Sequence, residues 1–121
     1  MDGFYTTPIK ILRPVEIAAP HGRATTLTYE VSEGAQLIDV DNPVELQPAA
    51  RVELDDDMRI ATQSGYEMQT QPGVNIDLRP YDRVRTSIGD LDVVGEVKRW
   101  PGTEFESGVD HVEVILELRT G

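Results

Sequence analysis

The amino-acid sequence predicts an all-β protein, a small antiparallel β-barrel with long loops, and three observations lead there. Prolines at Pro8, Pro14, Pro20, Pro43, Pro48, Pro72, Pro80 and Pro101 leave no uninterrupted window for a long helix. Short stretches in which apolar and polar residues alternate recur between them, the period-2 signature of half-buried strands. No alternation of strand and helix patterns suggests a parallel sheet, so a barrel or sandwich is expected. With 121 residues, the chain is read as one β-barrel domain spanning 1–121.

Taken in order, Ile9 and Ile11 begin a first strand after Pro8. The segment Glu16 to Arg23, broken by Pro20 and Gly22, reads as a loop. In Thr26 to Val31, the residues Leu27, Tyr29 and Val31 share the face expected to be buried. Val52 and Leu54 alternate with polar neighbours, but Pro48-Ala49-Ala50 and Asp55 to Met58 interrupt the pattern. Pro48 to Ser64 is therefore read as strand fragments around an excursion. Val74, Ile76 and Leu78 alternate with Asn75, Asp77 and Arg79.

The final third is the clearest. Asp82 to Ser87 and Leu91 to Val97 flank a tight connection at Ile88-Gly89-Asp90, where glycine supplies the positive φ of a short hairpin. Val112, Val114, Leu116 and Leu118 then point one way while His111, Glu113, Ile115, Glu117 and Arg119 point the other. Residues 82–119 thus read as a three-stranded meander, with Pro101 to Val109 as a polar loop.

Chemistry is poorly represented. No cysteine is present, so disulfides, thiolate metal sites and a cysteine nucleophile are out. His21, in a turn-like Pro20-His21-Gly22, and His111, on the polar side of the last strand, lack the spacing of a metal site or a catalytic triad. Asp55-Asp56-Asp57 has hard-cation chemistry, but consecutive residues on an extended chain face opposite sides, so a solvated turn is expected. Gly89, Gly95 and Gly102 reproduce no phosphate-binding loop. No catalytic residue, cofactor or metal is expected, and the protein is read as no enzyme. Trp100, after Lys98-Arg99 and before Pro101-Gly102, is either a core lid over an open barrel end or a hot spot at a subunit interface; the lid is the reading preferred.

Twenty-two acidic residues against 11 basic ones give a net charge of −11, a field that repels phosphates and argues against sequence-specific DNA binding. The N-terminus lacks the basic and apolar stretches of a signal peptide, and no segment approaches the roughly 20 apolar residues that span a bilayer, so no membrane partner is expected.

One longer pattern stands out: Tyr81-Asp82-Arg83-Val84-Arg85, then Gly89-Asp90-Leu91-Asp92-Val93-Val94-Gly95-Glu96-Val97, Trp100-Pro101, and Gly108-Val109 leading into Val112-Glu113-Val114. It resembles the head-to-tail stopper proteins of siphoviruses that infect actinobacteria. Tyr66-Glu67-Met68 and Gln71-Pro72-Gly73-Val74-Asn75-Ile76 also look like that family, so the likeness covers residues 60–121 well and the first half by strand order and length alone. Each piece has its own physical reason: Asp82 caps a turn, Gly95 permits a bulge, and Pro72-Gly73 makes a tight turn.

The resemblance implies a virion protein, assembled in the host cytoplasm, that forms a homo-oligomeric ring of six or twelve copies. It implies a place between portal and adaptor proteins above and tail terminator and tail tube below, and a ring that passes double-stranded DNA without sequence-specific binding. A loop directed at the ring axis forms the gate in such proteins. By position the matching residues are Ala49, Arg51, Glu53, Asp55, Asp56, Asp57, Met58 and Arg59; the docking candidates are Trp100 and, in the Pro101 to Val109 loop that follows it, Pro101 and Phe105. The competing readings are a tail terminator or other tail-completion ring, and, in another class, an acidic DNA-mimicking inhibitor.

Overall fold

A computed structural model describes residues 4–19, 22, 24–54 and 60–119, with backbone alone at 50–54 and 60–64. The chain is all-β. Among the described residues nine strands follow one another: β1 (Lys10–Arg13), β2 (Val15–Ala18), β3 (Thr25–Thr28), β4 (Gln36–Asp39), β5 (Glu45–Leu54), β6 (Ile60–Gln69), β7 (Arg83–Thr86), β8 (Gly89–Pro101) and β9 (Val109–Leu118). A single 3₁₀ turn at Val31–Glu33 is the sole helical piece among the described residues.

Seven strands form one antiparallel sheet in the order β4-β1-β7-β8-β9-β6-β5, while β2 and β3 pair apart as a two-stranded ribbon. The ladder ends at β4 on one side and at β5 on the other, so no closed barrel is found where the sequence predicted one. One core nevertheless collects Ile9 just ahead of β1, Ile11 from β1, Val84 from β7, Leu91 from β8, Val112, Val114 and Leu116 from β9, and Met68 from β6. Burial of residues from β1 and β6, four positions apart in the sheet, around one cluster requires the sheet to curl.

The β7-β8-β9 meander is present as the alternation predicts, with Val84 opposite Leu91 and Leu91 opposite Leu118. The two connecting residues are Ser87 and Ile88, because Thr86 pairs with Gly89, which opens β8 at φ 126°. Gly95 sits at φ 77° where the pairing jumps from Val94–Ile115 to Lys98–Glu113, a bulge of Gly95 to Val97 opposite Val114. Pro72-Gly73 forms the expected turn, closed by Val74 N–H to Gln71 O at 3.0 Å with Gly73 at φ 82°.

Four expectations are corrected. The segment read as a loop from Glu16 begins inside β2, which pairs with β3. Leu27 and Val31 are exposed while Thr28 is buried, because its hydroxyl is satisfied by the Glu33 carboxylate at 2.6 Å and by the Glu30 N–H at 3.3 Å. Pro48-Ala49-Ala50 does not interrupt a strand. β5 is continuous through it, and proline is tolerated because β5 is an edge strand bonded to β6 alone. Finally, Val74 to Leu78 is extended, with Ile76 and Leu78 buried, but it joins no ladder. Its carbonyls at Ile76 and Leu78 instead accept hydrogen bonds from Arg99 Nη2, both at 2.9 Å.

Candidate functional site

The two ends of the sheet differ in kind. β6 is bonded to β9 only from Gly65–Glu117 to Gln69–Glu113, whereas its pairing with β5 continues from Ala50–Ser64 out to Leu54–Ile60. The distal half of this hairpin is therefore a two-stranded ribbon that leaves the sheet past the end of β9. Five residue pairs at about 3.4 Å each carry it roughly 17 Å beyond. It coincides with the excursion located from the sequence. Ala49, partly buried, is its last residue on the sheet; Arg51 and Glu53 lie on the outgoing strand; Asp55, Asp56, Asp57, Met58 and Arg59 fall outside the described residues. The Ser87-Ile88 turn and the end of β9 share this end of the sheet, and Ile88 is half exposed there.

The opposite end carries the loop between β8 and β9, and it is internally braced. Gly102 N–H donates to Gly108 O at 3.1 Å, Phe105 N–H to Gly102 O at 3.1 Å, and Gly108 N–H to Phe105 O at 3.0 Å. Gly73 N–H donates to Asp110 O at 2.7 Å and Ser107 Oγ to Gly73 O at 2.8 Å, which ties the loop to the Pro72-Gly73 turn. Phe105 is folded under the loop: a Cβ on Gly73 would lie 2.6 Å from its Cδ1, and one on Gly102 2.9 Å from its Cδ2. Of the three docking candidates, Trp100 and Pro101 are exposed, whereas Phe105 serves the loop's own packing.

Trp100 is no lid on the core. It is 48% exposed and stacks on His111 across the β8–β9 ladder, ring centroids 6.1 Å apart and 23° between planes. His111 Nδ1 contacts Asp110 Oδ1 at 2.8 Å and Nε2 lies 3.5 Å from Glu113 Oε2, so the imidazole is surrounded by acids and covered by an indole. Ser107 is engaged with Gly73 and Val109. His21 lies outside the described residues. Among the described residues, no three acidic or histidine side chains are grouped to hold a metal ion.

The outer face explains how an acidic protein uses its few cations. Asp92 accepts from Arg83 Nε at 3.1 Å and from Arg119 Nη1 at 2.9 Å, and Asp90 accepts from Arg85 Nε at 2.9 Å. Arg83 also lies 3.4 Å over the Tyr29 ring, whose hydroxyl donates to Tyr81 O at 2.6 Å. Burial pushes the Tyr29 phenol up from its ordinary value, and the hydrogen bond with Asp90 raises Arg85. Each arginine whose side chain is described is engaged with a carboxylate or with main-chain carbonyls, so these residues form no row of free cations for a phosphate backbone.

The pairs Arg13–Asp82 and Arg99 with the 74–78 segment were not legible in the sequence, since their partners lie far apart in the chain. Compared with known proteins, the chain matches no protein-family model, no curated protein and no solved structure.

Proposed function

We propose that the chain is a structural ring protein of the head-to-tail connector of a long-tailed bacteriophage, one that closes the DNA exit channel and offers the tail its docking surface. The β5–β6 ribbon carries this reading. It extends beyond the sheet at one end, its intervening sequence is Asp55-Asp56-Asp57-Met58-Arg59, and the braced loop with the exposed Trp100 lies at the other end. A body with a reaching arm at one end and a firm surface at the other suits a subunit stacked between two neighbours.

The domain is then a small barrel. Thr7 and Val44 exchange both main-chain hydrogen bonds, at 3.0 and 2.9 Å, and Val44 runs directly into β5. The two edges of the sheet thus belong to one stretch of chain, 36–54, which faces β1 with its first part and β6 with its second. In a ring, the acidic residues of the ribbon tip repeat around the axis and repel phosphate at contact range, which lets DNA pass without adhering. The engagement of the arginines supports this, and it weakens the DNA-mimic reading, because local pairing breaks up the runs of bare carboxylate that phosphate mimicry requires. A tail terminator with helices on a sheet is disfavoured by the all-strand content.

Particles produced without the chain test the reading by electron microscopy. Filled heads that lose DNA, together with detached tails, are expected; normally joined particles that retain their DNA overturn it.

A further inference from the structure

Beside β1 lies a cleft of about 280 Å³ whose two walls repeat one pattern. One wall is Ile38-Asp39-Val40-Asp41 with Asn42, the other Val74-Asn75-Ile76-Asp77, and Ile11 and Arg13 complete the lining. Ile11 is opposite Ile38 in the β1–β4 ladder, so both apolar side chains stand on the same face of the sheet. In each wall, apolar residues alternate with polar ones, three of them aspartates. Asp77 is already paired with Arg13, at 3.4 Å, and with Arg79, at 3.0 Å; Asp39 is largely exposed and holds only the exposed Lys10, at 2.9 Å, and Asp41 has no ion-pair partner among the described residues. The walls also hold unused main-chain groups. β4 is bonded to β1 alone, which leaves its outer row of N–H and C=O groups without a ladder, and the N–H and C=O of Asn75 have no partner among the described residues.

We infer that this cleft is a docking site for an extended, lysine- or arginine-bearing segment of a partner protein. A strand of alternating apolar and basic residues matches the walls: its apolar side chains enter between Ile38, Val40 and Ile76, its cations reach Asp39 and Asp41, and its main chain takes up the free edge of β4. Asp39 and Asp41 on the β4 side, in a chain of net charge −11, select against acidic segments, including other acidic stretches of this chain. The inference does not rest on the ring reading, since the cleft is built from β1, β4 and the 74–77 segment, at a distance in sequence from the ribbon.

The probe is the capped hexapeptide Thr-Val-Lys-Val-Lys-Thr, followed by amide chemical shifts and hydrogen exchange of the intact protein. Saturable shifts at residues 36–41 and 74–77 are expected, with slowed exchange along β4. Affinity should fall about fivefold in Asp41→Asn and more in high salt, as exposed ion pairs of this kind allow. The glutamate analogue Thr-Val-Glu-Val-Glu-Thr should bind about tenfold more weakly or not at all. Equal binding of the two peptides, shifts centred elsewhere, or no shift with either peptide overturns the inference. Protection of β4 that grows with protein concentration and needs no peptide assigns the cleft to a second copy and overturns it as well.

Discussion

The guanidinium of Arg13 grips the carboxylate of Asp82 with two hydrogen bonds, Nε to Oδ1 at 3.1 Å and Nη2 to Oδ2 at 2.9 Å, across 69 positions of sequence. Asp82 is 2% exposed, and its Oδ2 also accepts the Arg79 N–H at 2.9 Å, so one carboxylate caps the turn before β7 and fastens that turn to the end of β1. The contact with Asp82, the largest influence, raises Arg13 above its ordinary value. Removing one partner strands the other in a buried setting. Asp82→Ala is expected to cost about 3 kcal/mol in urea unfolding, and the double change Arg13→Met with Asp82→Leu less than the sum of the singles.

Glycine is required at two places under the β8–β9 loop. A Cβ on Gly102 would meet the Asp110 main chain at 2.8 Å, an immovable neighbour, whereas one on Gly73 meets the Phe105 ring at 2.6 Å with φ at 82°. Both Gly102→Ala and Gly73→Ala should lower thermal stability, by about 1–3 kcal/mol each. Adding Phe105→Ala should relieve part of the Gly73→Ala penalty and none of the main-chain clash at Gly102, which calorimetry of the two double variants distinguishes.

Acid weakens the strut at Asp77. Its hydrogen bond with Arg79, aided by the charges of Arg79 and Arg13, holds its carboxyl below the ordinary 3.8. A lowered folded-state value means the contribution is fully present above the ordinary carboxylate range and is lost as pH falls through the folded value. The melting temperature of the parent should therefore exceed that of Asp77→Asn near about pH 6, and the two should converge toward about pH 2.

Trp100 separates folding from assembly. Nearly half exposed and resting on His111, it contributes stacking that is worth about 1 kcal/mol. Trp100→Ser should unfold at nearly the parent's urea concentration yet fail to join heads to tails in a complementation assay, since the reading places it on a docking surface.

Legibility followed burial. β9 was readable because Val112, Val114 and Leu116 are buried on one face while its other face is polar, so hydropathy alone reports the strand. The bulge at Gly95 was readable because only a residue free at positive φ fits there. β2 was not, because neither of its faces is buried: Val15 is exposed, and the flanking Pro14 and Pro20 read as loop. In β3 the expected alternation of burial is absent: Thr25, Thr26 and Leu27 are all exposed, and Thr28 alone is taken inside by hydrogen bonds that hydropathy does not register. The ribbon's place was marked by Pro48 and the aspartate run, but its continuity was not, because an edge strand accepts a proline that a central strand refuses. The ties from Arg13 and Arg99 depend on partners that only the folded chain brings together.

The most direct measurement replaces residues 50–64 by Asn-Gly, joining Ala49 to Gly65, which already face each other in the β5–β6 ladder, and counts DNA-filled heads in particles carrying the shortened protein. Every described core residue is retained, and the protein is expected to fold with a stability within about 1 kcal/mol of the parent. Particles that incorporate the shortened protein and lose their DNA are expected. Particles that incorporate it and stay full would contradict a gating role for the ribbon.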